Sequence, residues 1–195
     1  MALALLLDAC TTAHSAAPPA ASEPARSTAP SSRSSPSSPG AVCSTAHLRL
    51  APGPAVSEAT QQESRVLALT NTSAAPCHVV GYPRVVLEDR RGRPIRIRYR
   101  DGGDQMVTAR RPRRVVLPPG GAAYFMFNQN ACYLGFRSEA RFVRVMLPGG
   151  GSSLRAAIGR SPIMGSCRAG EPAVVVDISP VEPTVQALLE ASSLS

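Results

Sequence analysis

From residue 42 onward, apolar and polar positions alternate in short runs separated by turn residues, a pattern that predicts β-strands. The alternation is clearest in residues 93–100, where Ile95, Ile97 and Tyr99 fall on one face and the intervening arginines on the other. The whole pattern predicts strands at residues 47–50, 65–70, 78–80, 85–88, 94–99, 114–117, 122–127, 142–147, 154–158 and 173–178. Because no amphipathic helical pattern of useful length interrupts this series, the chain is predicted to be all-β, an antiparallel sandwich or barrel.

The two ends of the chain differ in composition from this middle region. Residues 11–41 are almost wholly Thr, Ala, Ser and Pro, and such a segment cannot bury enough apolar surface to offset its ordering entropy. We therefore predict a disordered linker at 11–41, a β-sandwich domain at 42–182 and a flexible C-terminal tail at 183–195. An Ala/Leu-rich patch in that tail predicts one or two helical turns at most.

The first ten residues, MALALLLDAC, join a short apolar run to a cysteine in the manner of a bacterial lipobox. Leu7, Ala9 and Cys10 fit that motif, Asp8 is unusual within it, and the basic residues that open a signal peptide are missing. A start codon assigned too far downstream explains this, so we interpret residues 1–10 as the end of a signal segment. Cys10 is then the lipid attachment site and 11–41 a tether to the membrane. Plain secretion and a cytosolic protein with a chance apolar start are the alternatives.

The chain is strongly basic, with 21 arginines and no lysine against 13 acidic residues, a net charge of +8. Eleven of the arginines fall within residues 84–114, where only four acids oppose them. Because planar guanidinium groups suit phosphate and carboxylate recognition, this region is a candidate anion-binding face. Its candidate residues are Arg96, Arg98, Arg100, Arg111 and Arg114. The alternative is a solvated sheet face, or an edge strand that its charges protect from aggregation.

The same charge pattern limits the class of partner. An anionic envelope polymer, phospholipid headgroups or an acidic protein fit an exported basic surface. Nucleic acid is disfavoured, because no aromatic stacking platform accompanies the arginines and export removes the usual target. The sequence says nothing about oligomeric state.

The cysteine count predicts disulfides. Apart from Cys10, the chain contains Cys43, Cys77, Cys132 and Cys167. An even number in an exported chain favours two bridges, for which three pairings exist. Each bridge would stabilise the fold by about 4 kcal/mol in the chain-entropy model. A metal site is disfavoured, because no C-x-x-C clamp is present and adjacent Cys77 and His78 on a strand would point to opposite faces.

The sequence carries no recognisable catalytic motif. It lacks a G-x-S-x-G elbow, an H-E-x-x-H helix, a P-loop and a G-x-G-x-x-G turn. The Gly/Ser run at 149–153 follows a predicted strand without a lysine or a following helix, so it predicts a hairpin loop rather than a phosphate cradle. We therefore expect a non-catalytic protein with no cofactor and no metal. The alternative is an envelope hydrolase whose site assembles only in three dimensions.

Several short motifs occur in order along the chain. They are T-N-T at 70–72, P-C at 76–77, G-Y-P at 81–83, L-P-P-G-G at 117–121 and V-V-V-D-I at 174–178. Together they resemble an actinobacterial family of secreted proteins and lipoproteins catalogued as domain of unknown function 4232, over about residues 42–180. The resemblance implies an immunoglobulin-like β-sandwich outside the cytoplasmic membrane, with Cys43 paired to Cys77 and Cys132 to Cys167. It carries no catalytic residues over.

Two of these motifs also have a local physical interpretation. Asn71 and Ser73 suit a turn that ends a strand, because their side chains cap nearby backbone groups. Gly81 and Pro83 bracket a bend, which leaves Tyr82 to anchor the core or to form a hydrogen bond at the corner.

Overall fold

The computed structural model of the protein describes residues 40–103, 106–107 and 110–190, and this part is built almost entirely of β-strands. A 3₁₀ turn at Thr45–His47 precedes the second strand, and a short helix, α1 (Val185–Glu190), follows the last. The strands of the described residues are β1 (Ala41–Val42), β2 (Leu48–Pro52), β3 (Gln62–Asn71), β4 (Cys77–Val79), β5 (Arg84–Glu88), β6 (Arg98–Asp101), β7 (Val115–Leu117), β8 (Ala122–Asn130), β9 (Phe136–Glu139), β10 (Phe142–Met146), β11 (Leu154–Ala157), β12 (Gly165–Cys167) and β13 (Val175–Ile178).

The largest sheet has five strands in the order β2-β3-β8-β13-β6. Its pairs are antiparallel except that β13 and β6 run parallel. Long alternation in β3 and β8 builds the centre of this sheet, where Leu67, Leu69, Phe125 and Phe127 are fully buried. Because β6 is the last strand in the order, its outer side forms one edge of the sheet.

Three smaller sheets pack against the inner face of the large one. Their orders are β11-β10-β5, β1-β4-β7 and β12-β9. One core joins all the layers, with Leu87 and Val143 from the first small sheet, Leu117 from the second, and aliphatic residues of the large sheet. The predicted all-β fold, an antiparallel β-sandwich, is confirmed.

The pairing of cysteines implied by the family resemblance is also confirmed. Cys43 is bonded to Cys77 with a Cα–Cα distance of 4.9 Å, and Cys132 to Cys167 with 5.3 Å. Since disulfides form and persist in oxidising compartments, the two bridges place the protein in an extracytoplasmic environment. Within the described residues, no helix has the length and apolar character needed to cross a membrane.

The structure adds detail at both predicted ends of the domain. Ala41, assigned to the linker, pairs with Cys77 in β1 and β4, so the sheet begins within the predicted linker. At the other end, the Ala/Leu-rich patch of the predicted tail forms the six-residue helix α1, within the one or two turns expected there. Leu188 of this helix is 1% exposed in a small cluster with Val66 and Met126, on the outer face of the large sheet, so the tail is packed at this point. Cys10 and residues 11–39 of the predicted linker lie outside the described residues.

The local interpretations of the T-N-T and G-Y-P motifs agree with the structure. The Oδ1 atom of Asn71 accepts a hydrogen bond from the backbone N–H of Ser73 at 2.9 Å, which caps the turn after β3. The hydroxyl of Tyr82 donates to the carbonyl of Arg110 at 3.1 Å, a corner hydrogen bond. The loop at 149–153 connects the antiparallel strands β10 and β11, so it is the predicted hairpin loop.

Candidate anion-binding groove

A tight turn after β5 sets the direction of the arginine-rich segment. The carboxylate of Asp89 accepts hydrogen bonds from the backbone N–H groups of Arg91 at 2.7 Å and Arg93 at 3.0 Å. Gly92 closes the turn with φ of 74°, a left-handed conformation that favours glycine. The chain then returns alongside β5, because Ile95 donates its backbone N–H to the carbonyl of Leu87 at 2.9 Å.

The alternation predicted from the sequence decides which side chains face solvent after this turn. Ile95 is buried, and Ile97 and Tyr99 pack against the same core. The Tyr99 hydroxyl accepts the backbone N–H of Leu87 at 2.8 Å, and burial raises the pKa of this tyrosine. Arg96 and Arg98 therefore project outward, as the sequence predicted.

These two arginines line a groove with a volume of about 1150 Å³. One wall is the segment 93–98. The opposite wall is the β9–β12 pair, which contributes Arg137 and, directly after β12, Arg168. Residues 171–174 close one side. We call this site the arginine groove.

The charge balance of the arginine groove is positive. Five arginines line it, Arg93, Arg96, Arg98, Arg137 and Arg168, against two carboxylates. Arg93 is bound to one of these, Asp89, at 3.2 Å. The other four guanidinium groups have no hydrogen bond or ion pair with any described residue, and all four side chains are exposed.

Neither carboxylate of the groove pairs directly with any of those four guanidinium groups. Hydrogen bonds from the backbone of Arg93 and Arg91, with the side chain of Arg93, hold the pKa of Asp89 below its ordinary value, so it stays ionised within the turn. The carboxylate of Glu171 accepts the backbone N–H groups of Tyr133 and Leu134, each at 2.8 Å. These contacts fix the loop next to the Cys132–Cys167 bridge, which itself ties β12 to that loop.

Arg100, a third predicted residue, has a different role. Its guanidinium makes two parallel hydrogen bonds to the carboxylate of Asp177, at 2.6 Å and 2.8 Å. The Asp177 side chain is only 3% exposed, so Arg100 neutralises a buried charge of the neighbouring strand β13. It lines a smaller cavity of about 320 Å³ beside the arginine groove rather than the groove itself.

The last two predicted residues lie outside the groove lining. Arg114 donates to the carbonyl of Gly40 at 3.0 Å, and its guanidinium lies 2.8 Å from His78 Nδ1, which anchors β1 on the β1-β4-β7 sheet. Arg111 is exposed and precedes β7. The structure thus brings together two of the five predicted arginines, Arg96 and Arg98, and adds Arg137 and Arg168.

Arg137 and Arg168 were not predicted as site residues because they lie outside the arginine-rich segment. The positions of the cysteines could have indicated them. Arg168 directly follows Cys167 and Arg137 lies five residues after Cys132. A bridge between these cysteines brings both arginines to the same place.

The geometry offers no metal site at this position. Sulfur atoms of Cys132 and Cys167 and a carboxylate oxygen of Glu171 lie within 4.8 Å of one another. The two sulfurs are bonded to each other, however, so neither is a thiolate ligand. What the groove can do chemically is bind anions through guanidinium groups.

Comparison with known proteins identifies one similarity. The model of a family described as "Domain of unknown function (DUF4232)" matches residues 43–183, which includes every residue that lines the groove. No curated protein and no solved structure matches the chain.

Proposed function

The chain belongs to the family described as "Domain of unknown function (DUF4232)", and from that premise we propose that it is a non-catalytic, exported module of the cell envelope that binds an anionic ligand in the arginine groove. One observation carries the proposal. Four exposed arginines with no partner among the described residues, Arg96, Arg98, Arg137 and Arg168, line a single concave surface.

Electrostatics explains why this arrangement favours a ligand. Like charges on facing walls repel each other, and the nearby carboxylates are held by backbone N–H groups and by Arg93. An anion with several charged groups relieves that repulsion and accepts planar guanidinium donors in pairs. A groove with walls of one sign also concentrates counter-ions and raises their association rate.

The chemistry of the lining supports binding rather than catalysis. Among the groove residues there is no histidine, and Cys167 is oxidised in a disulfide. Its two serines, Ser138 and Ser166, have no hydrogen bond to either groove carboxylate among the described residues, so no serine nucleophile is paired with a general base there.

We also propose that Cys10 carries a lipid anchor that holds the domain at the membrane. Four of the five cysteines form the two bridges, which leaves Cys10 in its lipobox-like context as the remaining one. The intact mass of the native protein extracted from membranes tests this. A mass increase equal to the acyl groups, lost in C10A, supports the anchor, and an unmodified Cys10 contradicts it.

Binding to heparin, a sulfated polymer used as a probe, tests the groove. The double variant R96E/R98E reverses two charges in the groove. The control R49E/R111E makes the same change in net charge at two exposed arginines outside the lining, with Arg49 on the opposite edge strand β2. We expect R96E/R98E to bind at least about tenfold more weakly, or about 1.4 kcal/mol, with an unchanged melting temperature. Equal losses in the two double variants would show a general charge effect and remove the groove from the proposal.

A further inference from the structure

The basic surface extends beyond the arginine groove. A second cavity, of about 790 Å³, shares Asp89, Arg137 and Ser138 with it. Residues of strand β9 line both cavities, and Arg137 and Ser138 line the two together, so the cavities adjoin at this strand.

The second cavity adds arginines of the same kind. Arg90 and Arg160 line it, both are exposed, and neither has a partner within the part of the chain that the structure describes. Arg141 also lines it but is bound to Glu139. The two cavities together are lined by eight arginines and three carboxylates, a net charge of +5.

An aromatic ring interrupts this charged surface. The half-buried Phe136 on β9 lines the second cavity, next to Arg137 of the shared wall. Phe142 also lines this cavity, but its ring is covered by the guanidinium of Arg155, at 3.7 Å from the ring centroid. Phe136 therefore offers an apolar surface between charged side chains.

We propose that the two cavities together bind a linear acidic polysaccharide, which passes from one cavity to the other at β9 with its charged groups on the arginines of both cavities and a sugar ring on Phe136. This inference rests on the proposed function and specifies its ligand class. The arginines are spread over a path longer than one cavity. This arrangement matches an anion whose charges repeat along a chain. The apolar C–H face of a sugar ring fits an aromatic side chain, whereas a polyphosphate chain has no such face.

Affinity measured against ligand length tests the extended path. The probes are heparin-derived oligosaccharides from disaccharide to dodecasaccharide, with binding measured by calorimetry on the full chain. For the wild type we expect affinity to rise with length until both cavities are filled. R90E/R160E should lose most of this gain, by about fivefold or more for the longest probe, while its disaccharide affinity stays near that of the wild type.

The control is again R49E/R111E, which has the same change in charge. If R90E/R160E and this control give the same length dependence, or if wild-type affinity does not depend on length, the extended path is wrong. Failure of the proposed function itself would give a different result. In that case R96E/R98E would bind every probe with the affinity of the wild type.

A second comparison tests the sugar. F136L retains apolar volume on β9 but removes the aromatic face. We expect it to weaken oligosaccharide binding about threefold or more, with an unchanged melting temperature, and to leave binding of polyphosphate of matched charge unaltered. Equal effects on the two ligands, or tighter wild-type binding of polyphosphate, would overturn the assignment to a polysaccharide.

Discussion

At the scale of single residues, two groups among the described arginines have different roles that composition alone does not separate. One group neutralises buried carboxylates: Arg100 with Asp177, Arg113 with Glu182, and Arg144 and Arg155 with Glu88. Each of these carboxylates is at most 3% exposed. A second group has no partner among the described residues, and its members in the arginine groove, Arg96, Arg98, Arg137 and Arg168, are the ones left for a ligand.

Arg98 and Arg100 allow a direct test of this division, because they lie on the same face of β6 two residues apart. R100A leaves Asp177 buried without the two hydrogen bonds from Arg100, so we expect a loss of about 2–3 kcal/mol in the free energy of unfolding. R98A removes an exposed side chain with no partner, and its effect on stability should stay within about 0.5 kcal/mol. Urea denaturation measures both. A larger loss in R98A than in R100A would mean that the two roles are reversed.

Glu88 makes the stability of the fold dependent on pH. Burial raises its pKa, but hydrogen bonds and charges from Arg155 and Arg144 outweigh that effect and hold the pKa below its ordinary value. A carboxyl with a lower pKa in the folded state contributes stability above its unfolded pKa and loses it as the pH falls through the folded value. We therefore expect the wild type to lose stability as the pH drops below about 4.

The variant E88Q isolates this contribution. It should be less stable than the wild type by about 2 kcal/mol near pH 7, because two charged partners lose their carboxylate. The difference should narrow as the solution is acidified. Melting temperatures of both proteins between pH 7 and pH 3 provide the measurement, and a gap that widens in acid would contradict the assignment.

At the scale of elements, the walls of the groove differ in how well the sequence predicts them. The segment 93–100 alternates so regularly that the outward direction of Arg96 and Arg98 follows from its pattern. The opposite wall carries no such signal. β9 reads F-R-S-E and β12 reads G-S-C, so neither has the repeated aliphatic residues that predict a strand, and a register shift interrupts their pairing.

Long-range pairings are the other part that the sequence did not predict. Arg100 and Asp177 are 77 residues apart, and only the parallel pairing of β6 with β13 makes them neighbours. Local alternation predicts the face of the sheet on which a side chain lies, but not which strand pairs with the strand that carries it. For that reason Arg100 could not be separated from Arg98 in advance.

The two disulfides should differ in their effect on binding. Cys132–Cys167 joins the loop that Glu171 caps to β12, whose Ser166 and Cys167 line the groove. Cys43–Cys77 lies in the core next to β1 and β4. We expect C132S/C167S and C43S/C77S each to lose about 3–4 kcal/mol of stability.

The two disulfide variants should differ in their affinity for heparin. Measured on folded protein, heparin binding should weaken only in C132S/C167S, because its groove wall is no longer fixed to the loop. Weaker binding in C43S/C77S, with wild-type binding in C132S/C167S, would place the ligand elsewhere.

At the scale of the whole molecule, the net charge of +8 predicts attraction to any polyanion, and this attraction falls with salt. The proposed binding in the groove adds geometry to that general field. We therefore propose that the unpartnered arginines of one groove, rather than the total charge, determine where the ligand binds.

Two-dimensional NMR of the arginine Nε–Hε groups, during titration with a heparin tetrasaccharide, tests this claim most directly. We predict that the largest shift changes belong to Arg96, Arg98, Arg137 and Arg168, while Arg49 and Arg111 shift little. Changes of similar size at all exposed arginines, or changes centred on Arg49 and Arg111, would contradict the account.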